Sequence, residues 1–443
     1  MKRAIDGAWV WDGAGRLLED GVILIDGERI EALLPRDEAD ARLPGDVERI
    51  DGRGKLAIPG LVNAHTHLYS SLARGMALSG FAPQTFTQIL EQLWWRLDKA
   101  LDTDSVRMSA LVGAMEAARC GVTTLVDHHA SPRAIGGSLD AIRDAVCGEV
   151  GLRAALAYEV SDRDGPKAAV EGIEENLRAL TRRPEPLSAV LFGLHASFTL
   201  SDATLTRAAA ALPAQAGIHI HVAEGPEDEI RCEKEHGMRI VERLDRYGLL
   251  RERSILAHCL HVNEAEKDLI AAGRAVVVHN PRSNMNNAVG TFDLAGFLDR
   301  EVLVGLGTDG LGENLLGELF TAGILQKHAT GDPLAGDFPS LQGILFGNNP
   351  ALVERLFGVK VGRIAPGYAA DVALFDYVPP TPIAAENVLG HLLFGMAVHD
   401  LRVSDLWVAG RPVLRNGGFL DLDADEIYEA SRATAGRLWA RIS

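Results

Sequence analysis

Cysteine is scarce in this chain and never paired. Four cysteines, Cys120, Cys147, Cys232 and Cys259, are spread over 443 residues with no Cys-x-x-Cys spacing. That argues against a disulfide frame or a cysteine zinc site and predicts a reducing compartment. No apolar run reaches the roughly 18 residues that span a bilayer, and the basic start Met1-Lys2-Arg3 lacks the apolar core of a secretory leader behind it. Positive charge is short too: 44 Lys and Arg stand against 61 Asp and Glu, a formal charge of −17. Nucleic acids and anionic membranes bind clustered Lys and Arg, so neither is an expected partner. Low-complexity tracts and short-period repeats are missing. What remains is an ordinary globular composition, 47% hydrophobic and 24% charged, in a chain too long for one small core. The expectation is a cytoplasmic enzyme with a small-molecule substrate and one large plus one smaller domain; a homo-oligomer is left open.

The texture changes twice along the chain. Residues 1 to 58 read as short strands, with aliphatic runs punctuated by Asp12-Gly13, Asp26-Gly27 and Asp51-Gly52. Residues 35 to 46 read as a loop. After Pro59, helical stretches alternate with short apolar runs. One unit starts at a capping Asp102 or Thr103, ends its helix at Gly121, and continues as a buried strand to Asp127-His128-His129. With the run at Ile58–Val62, eight such strands are counted: Val122–Val126, Ala154–Tyr158, Val190–Leu194, Gly217–His221, Ser254–Ala257, Ala275–Val278 and Val302–Leu306. Eight strands alternating with helices predict an α/β fold, a (β/α)8 TIM-type barrel, over 59–362, with a doubly wound sheet as the other option. From about Arg363 strands return at Asp371–Asp376 and Leu406–Val413, and residues 424–441 read as a last amphipathic helix. Both ends, 1–58 and 363–443, are therefore expected to form one small β-sandwich.

The chemistry-bearing side chains gather where these strands end, which is where a barrel keeps its active site. His65 and His67 close the segment Pro59-Gly60-Leu61-Val62-Asn63-Ala64-His65-Thr66-His67. On a strand, residues two apart point the same way, so both imidazoles can reach one metal ion. Alone, the pair reads equally as two half-buried strand-end histidines. Its company decides otherwise: His219-Ile220-His221 with Glu224, then His258-Cys259, then Gly307-Thr308-Asp309-Gly310, each at the end of an apolar stretch.

Taken in order, these segments resemble the amidohydrolase superfamily. Arg74-Gly75, His195-Ala196-Ser197-Phe198-Thr199, the His-x-x-Glu of His221 and Glu224, and His279-Asn280-Pro281-Arg282-Ser283-Asn284 are similar to the branch of chlorohydrolases and of guanine, cytosine and nucleoside deaminases. Gly362–Asp371 is similar to that branch's return into the sandwich. Within the branch the chain looks most like aminohydrolases associated with selenium metabolism.

The resemblance implies metal ligation by His65, His67, His221 and Asp309, with one divalent ion, zinc in first place and iron or manganese as the other candidates. It implies His258 beside the water, Asp309 as acceptor of the water proton, and Glu224 as the acid that protonates a ring nitrogen and the leaving amine. Binuclear members of the superfamily carry a lysine on the fourth strand, which is absent from Val190–Leu194. Substrate contacts are expected from His195, Arg74, Arg282 and Asn284. His219 is expected to pack or support, and His128 and His129 either line the pocket or simply end their strand. The aromatic stretch Tyr69–Trp95 reads as a flap over a flat ring or as core. Two departures, Asn286-Asn287 after Met285 and Glu313-Asn314-Leu315 after Gly310, fall where the family faces substrate and point away from an adenine nucleoside. The expected activity is hydrolytic deamination of a C=N carbon in a purine, pyrimidine, triazine-like or amidine substrate. The alternative is hydrolysis of a cyclic amide or ureide C–N bond.

Overall fold

Pro59 and Gly60 are the point where the chain leaves one sheet and enters another. Lys55–Pro59 pairs parallel with Lys2–Trp11 and antiparallel with Val372–Asp376, whereas Leu61–Thr66 pairs parallel with Val122–His129. The apolar run Ile58–Val62 thus belongs to two strands, and the first barrel strand lies a few residues later than its hydrophobicity suggests. The computed structural model describes residues 2–43, 45, 47–310 and 312–442.

Eight parallel strands form the barrel. Leu61–Thr66, Val122–His129, Arg153–Tyr158 and Ser188–Val190 make one sheet, and Phe192–Ala196, Ile218–Val222, Ile255–His258, Val276–His279 and Val304–Leu306 make the next. Ser188–Val190 and Phe192–Ala196 are two halves of the fourth strand, broken at Leu191. Its N–H donates back to the Leu156 carbonyl at 2.9 Å, while that of Phe192 donates forward to Gly217 at 3.0 Å. Parallel bridges Val160–Leu194 and Thr66–Asp309 close the ring. The helix Thr103–Arg119 starts at a capping box of Asp102 and Ser105, which satisfies backbone N–H groups that a helix end otherwise leaves open.

Strands from both chain ends hydrogen-bond into one nine-stranded sheet. It curls until its arms meet: Ile5, Ile23, Ile30, Val372 and Trp407 share one core, and Gly410, at φ +72°, sits so close to the Gly27 carbonyl that a Cβ would collide with it. That tight turn splits the expected strand Leu406–Val413 into Val403–Val408 and Arg411–Arg415. The expected loop at 35–46 is also corrected. Arg36–Arg42 is a helix, with Asp37 and Glu38 in its first turn and Arg42 in its last, as the helix dipole favours; Pro44 and Asp46 lie outside the described residues. The last helix, Ala424–Ala440, runs as expected. No helix among the described residues is long and apolar enough to cross a membrane.

Barrel and sheet are joined by a buried ion pair. Arg153 Nη1 donates to Asp371 Oδ2 at 2.6 Å and to Thr124 Oγ1 at 3.1 Å, with the arginine and aspartate side chains 2% and 0% exposed. Asp371 Oδ1 accepts from the backbone of Ala409 at 2.8 Å. Removing one partner leaves the other charged and buried, so Asp371→Ala is expected to destabilise the fold by about 3–5 kcal/mol. Denaturant unfolding of the two proteins checks this; loss of under about 1 kcal/mol would contradict it.

Candidate active site

Strand C-termini place the site at one end of the barrel. Four of the described residues there hold backbone conformations that side-chain-bearing residues rarely adopt: Ala223 (φ 46°), His258 (φ 73°), Cys259 (φ 52°) and Asp309 (φ 56°). Such strain persists only where the surroundings enforce it, and it gathers at functional positions. Gly307 precedes Asp309 because a Cβ there would lie 2.7 Å from the His65 carbonyl, and the backbones of Thr308 and Asp309 both donate to that same carbonyl at 3.0 Å.

Five imidazoles and one carboxylate converge. The ligand atoms of His65, His67, His128 and His221 lie within 4.8 Å of one another, as do those of His65, His221, His258 and Asp309. Asp309 Oδ1 is 3.1 Å from His67 Nε2 and 3.6 Å from His65 Nε2, and its Oδ2 is 3.7 Å from His258 Nε2. The outer nitrogens are engaged elsewhere. His65 Nδ1 meets His219 Nε2 at 2.9 Å, His67 Nδ1 the His128 carbonyl at 2.5 Å, His221 Nδ1 the His195 carbonyl at 2.9 Å, and His258 Nδ1 the Asn284 side-chain oxygen at 2.8 Å. Metal-ligating histidines are held in this way, one nitrogen bonded outward and the other free. His65 Nε2 and His258 Nε2 are buried with no hydrogen-bond partner. An orphaned polar atom in a dry site is costly unless something binds it. The donor set therefore fits a divalent cation.

Glu224 follows the strained Ala223. Its Oε2 is 3.5 Å from His258 Nε2, its Oε1 accepts from Asn287 Nδ2 at 3.3 Å, and its backbone N–H donates to Asp228 at 3.1 Å. Burial, with the charges of Asp309 and Asp228 nearby, pushes its carboxyl well above the usual range, which favours the proton-carrying form. Asp309 is also burdened by burial, but the imidazoles of His65 and His67, 3.6 and 3.1 Å from its Oδ1, hold its carboxyl well below the usual range. Two acids with opposite shifts side by side suit a donor and an acceptor of protons.

The cavity over this cluster is lined by His67, His195, His221, Glu224 and Asp309 among the expected residues, and by Phe86, Trp94 and Trp95 of the aromatic stretch. Trp94 ends a π-type turn, Leu90–Trp94, set between the helical turns Phe86–Ile89 and Trp95–Ala100. His195 presents its Nε2 because Nδ1 is bonded to Thr199 Oγ1 at 2.8 Å. The other expected substrate contacts lie elsewhere. Asn284 is fully buried behind His258. Arg74 and Arg282 line a separate cleft with Glu116 and Glu318; Arg282 Nε donates to Thr321 Oγ1 at 3.1 Å, so its charge is drawn away from the cavity. Glu313 likewise turns inward, accepting from Asn63 at 2.7 Å and Thr66 at 2.8 Å. His129 bonds Ser131 at 2.9 Å, and His128 stacks on His219 with ring centres 4.2 Å apart.

Sequence reasoning missed three acidic cavity residues, Glu159, Asp98 and Asp228. Glu159 alone carried a legible signal, a carboxylate at the end of the third strand.

A sequence profile described as "Amidohydrolase family" matches residues 56–413. The chain is 32% identical over 443 residues to the 5′-deoxyadenosine deaminase of Methanothermobacter thermautotrophicus, covering 98% of each protein. It is 29% identical over 445 residues to the 5-methylthioadenosine/S-adenosylhomocysteine deaminase of Pelotomaculum thermopropionicum, again covering 98% of each. Among solved structures it resembles an adenosine deaminase from Xanthomonas campestris with bound zinc, at TM-score 0.84 and 25% identity over 99% of this chain and 98% of that one.

Proposed function

The chain belongs to the amidohydrolase family, and from that premise we propose that it is a metal-dependent aminohydrolase, exchanging an amino group on a C=N carbon for oxygen and releasing ammonia. The observation that carries the reading is the buried Glu224 carboxyl, 3.5 Å from His258 Nε2, beside a histidine and aspartate cluster suited to a divalent ion. Substrates are aminated purine, pyrimidine or triazine-like rings, or open amidines. The deaminase names of the two relatives support the reaction.

We assign ligation to His65, His67, His221 and Asp309, and the ion as a single zinc; the fourth strand offers His195 where a bridging lysine would be needed for a second. A divalent ion at this place supplies positive charge that brings the pKa of water from about 15.7 toward 7–9. The chain does the rest. His258 Nε2, between Glu224 and Asp309, orients the attacking water. Asp309 accepts its proton as oxygen bonds to carbon. Glu224 gives its proton to the ring nitrogen, takes the second water proton from the new hydroxyl and passes it to the amine; the C–N bond breaks as C=O forms, ammonia leaves, and the proton held by Asp309 returns to Glu224. Asn284 fixes the tautomer of His258 through Nδ1. Asn284→Ala is expected to lower kcat by about tenfold to a hundredfold with metal content intact; unchanged kcat would remove His258 from this role.

The reaction itself is tested by incubating metal-loaded protein with amino-purines, amino-pyrimidines, amino-triazines and amidines. The expected result is one ammonia per substrate consumed. A carboxylate product without ammonia would instead indicate amide or ureide hydrolysis.

A further inference from the structure

The cavity is acidic as well as aromatic. Asp98, Glu159, Glu224, Asp228 and Asp309 line it, and among the described residues no lysine or arginine does. Four of these carboxylates are accounted for. Asp309 and Glu224 belong to the proposed reaction, Asp228 holds the backbone of Glu224, and Asp98 accepts from Arg163 Nη2 at 2.9 Å. Arg163 lies 4.8 Å over the Trp95 ring and is not part of the lining.

Glu159 is left over. It is 4% exposed, and its Oε1 is buried with no hydrogen-bond partner. Three imidazole nitrogens surround it without bonding it: His67 Nδ1 at 3.4 Å, His128 Nδ1 at 3.6 Å and His195 Nε2 at 3.8 Å. Two of those rings are already fixed by other partners, His67 by the His128 carbonyl and His195 by Thr199. Holding the His67 and His195 rings in place is thus not its task. A buried carboxyl facing a cavity with no donor is unfavourable until a ligand brings one.

We infer that Glu159 is a specificity-determining residue, its Oε2 accepting an N–H group from the N–C–N edge of a planar amidine- or guanidine-type substrate, neutral or cationic, while anionic substrates are turned away. A carboxylate oxygen accepts such an N–H as a charge-assisted hydrogen bond. Trp95 and Phe198, with ring centres 6.5 Å apart, and Phe86 offer flat apolar walls beside it. His195 Nε2 supplies the adjoining polar contact. This inference rests on the deaminase reading for the reacting carbon, but its test needs no turnover.

The test is calorimetric titration of the metal-loaded Glu224→Gln protein with benzamidine and with benzamide, its neutral isostere, alongside metal analysis. Benzamidine is expected to bind at least about tenfold tighter than benzamide. Adding Glu159→Gln should weaken benzamidine by about tenfold to a hundredfold and leave benzamide within about twofold. Glu159→Asp should keep part of the preference. Equal affinity for the two ligands before any change at Glu159 overturns the inference, as does equal loss for both after it with metal content unchanged. Should the Gln variant shed metal, the first comparison and the Asp variant still decide. Ammonia release by the unaltered protein reports separately on the deaminase reading.

Discussion

Glu224→Gln protein is expected to keep its metal and to lose turnover by about two to four orders of magnitude, the range a positioned general acid–base group contributes. Glutamine has the shape of glutamate, and its oxygen can still accept from Asn287, now at 3.3 Å. What it lacks is a transferable proton. Glu224 lies outside all three groups of converging ligand atoms, the third being Glu159, His195 and His221, so metal content should match the unaltered protein within error. KM should move little, because the lost interaction belongs to the transition state. The pair of readouts matters more than either alone. If rate and metal fall together, Glu224 is structural; if neither falls, the proton comes from elsewhere and Asp228 becomes the candidate.

The second large effect is expected at His221. His221→Ala should reduce tightly held metal to well below one ion per chain and turnover to background. His221 is common to both four-residue donor groups, and its Nδ1 ties the site to the His195 carbonyl at 2.9 Å. Removing it withdraws a ligand and unpins the strand end that carries His195. Because an ion that binds only the folded chain stabilises it by mass action, unaltered protein should melt at higher temperature as zinc is added, and the variant should not. A variant that retains one ion and a zinc-dependent melting temperature would move the ligand set to His258 and His128.

The converging histidines were legible in the sequence because the rule behind them is local. Two residues apart on a strand share a face, and His65 with His67 needs nothing else. The barrel was legible for the same reason, since each strand and capped helix announces itself within a dozen residues. The first strand was misplaced because one apolar run, Ile58–Val62, feeds two sheets, and only the pairing of Ile58 with Ala373 and of Leu61 with Val122 divides it. The helix Arg36–Arg42 was hidden by prolines at its borders, although Asp, Glu, Ala and Arg are ordinary helix residues there. Glu159 was not read because its surroundings come from afar: His67 follows the first strand, and His128 and His195 belong to the second and fourth. Arg74 and Arg282 failed as cavity residues for the converse reason. A basic side chain in a motif says nothing about the acid, here Glu318 beside Arg282 at 3.8 Å, that draws it off.

Zinc reconstitution tests the central claim most directly. Exhaustively chelated protein, dialysed and given zinc in substoichiometric steps, should regain ammonia-releasing activity linearly and stop at one ion per chain. Full activity in the chelated protein, or a break at two ions, would contradict a single cation held by three histidines and one aspartate.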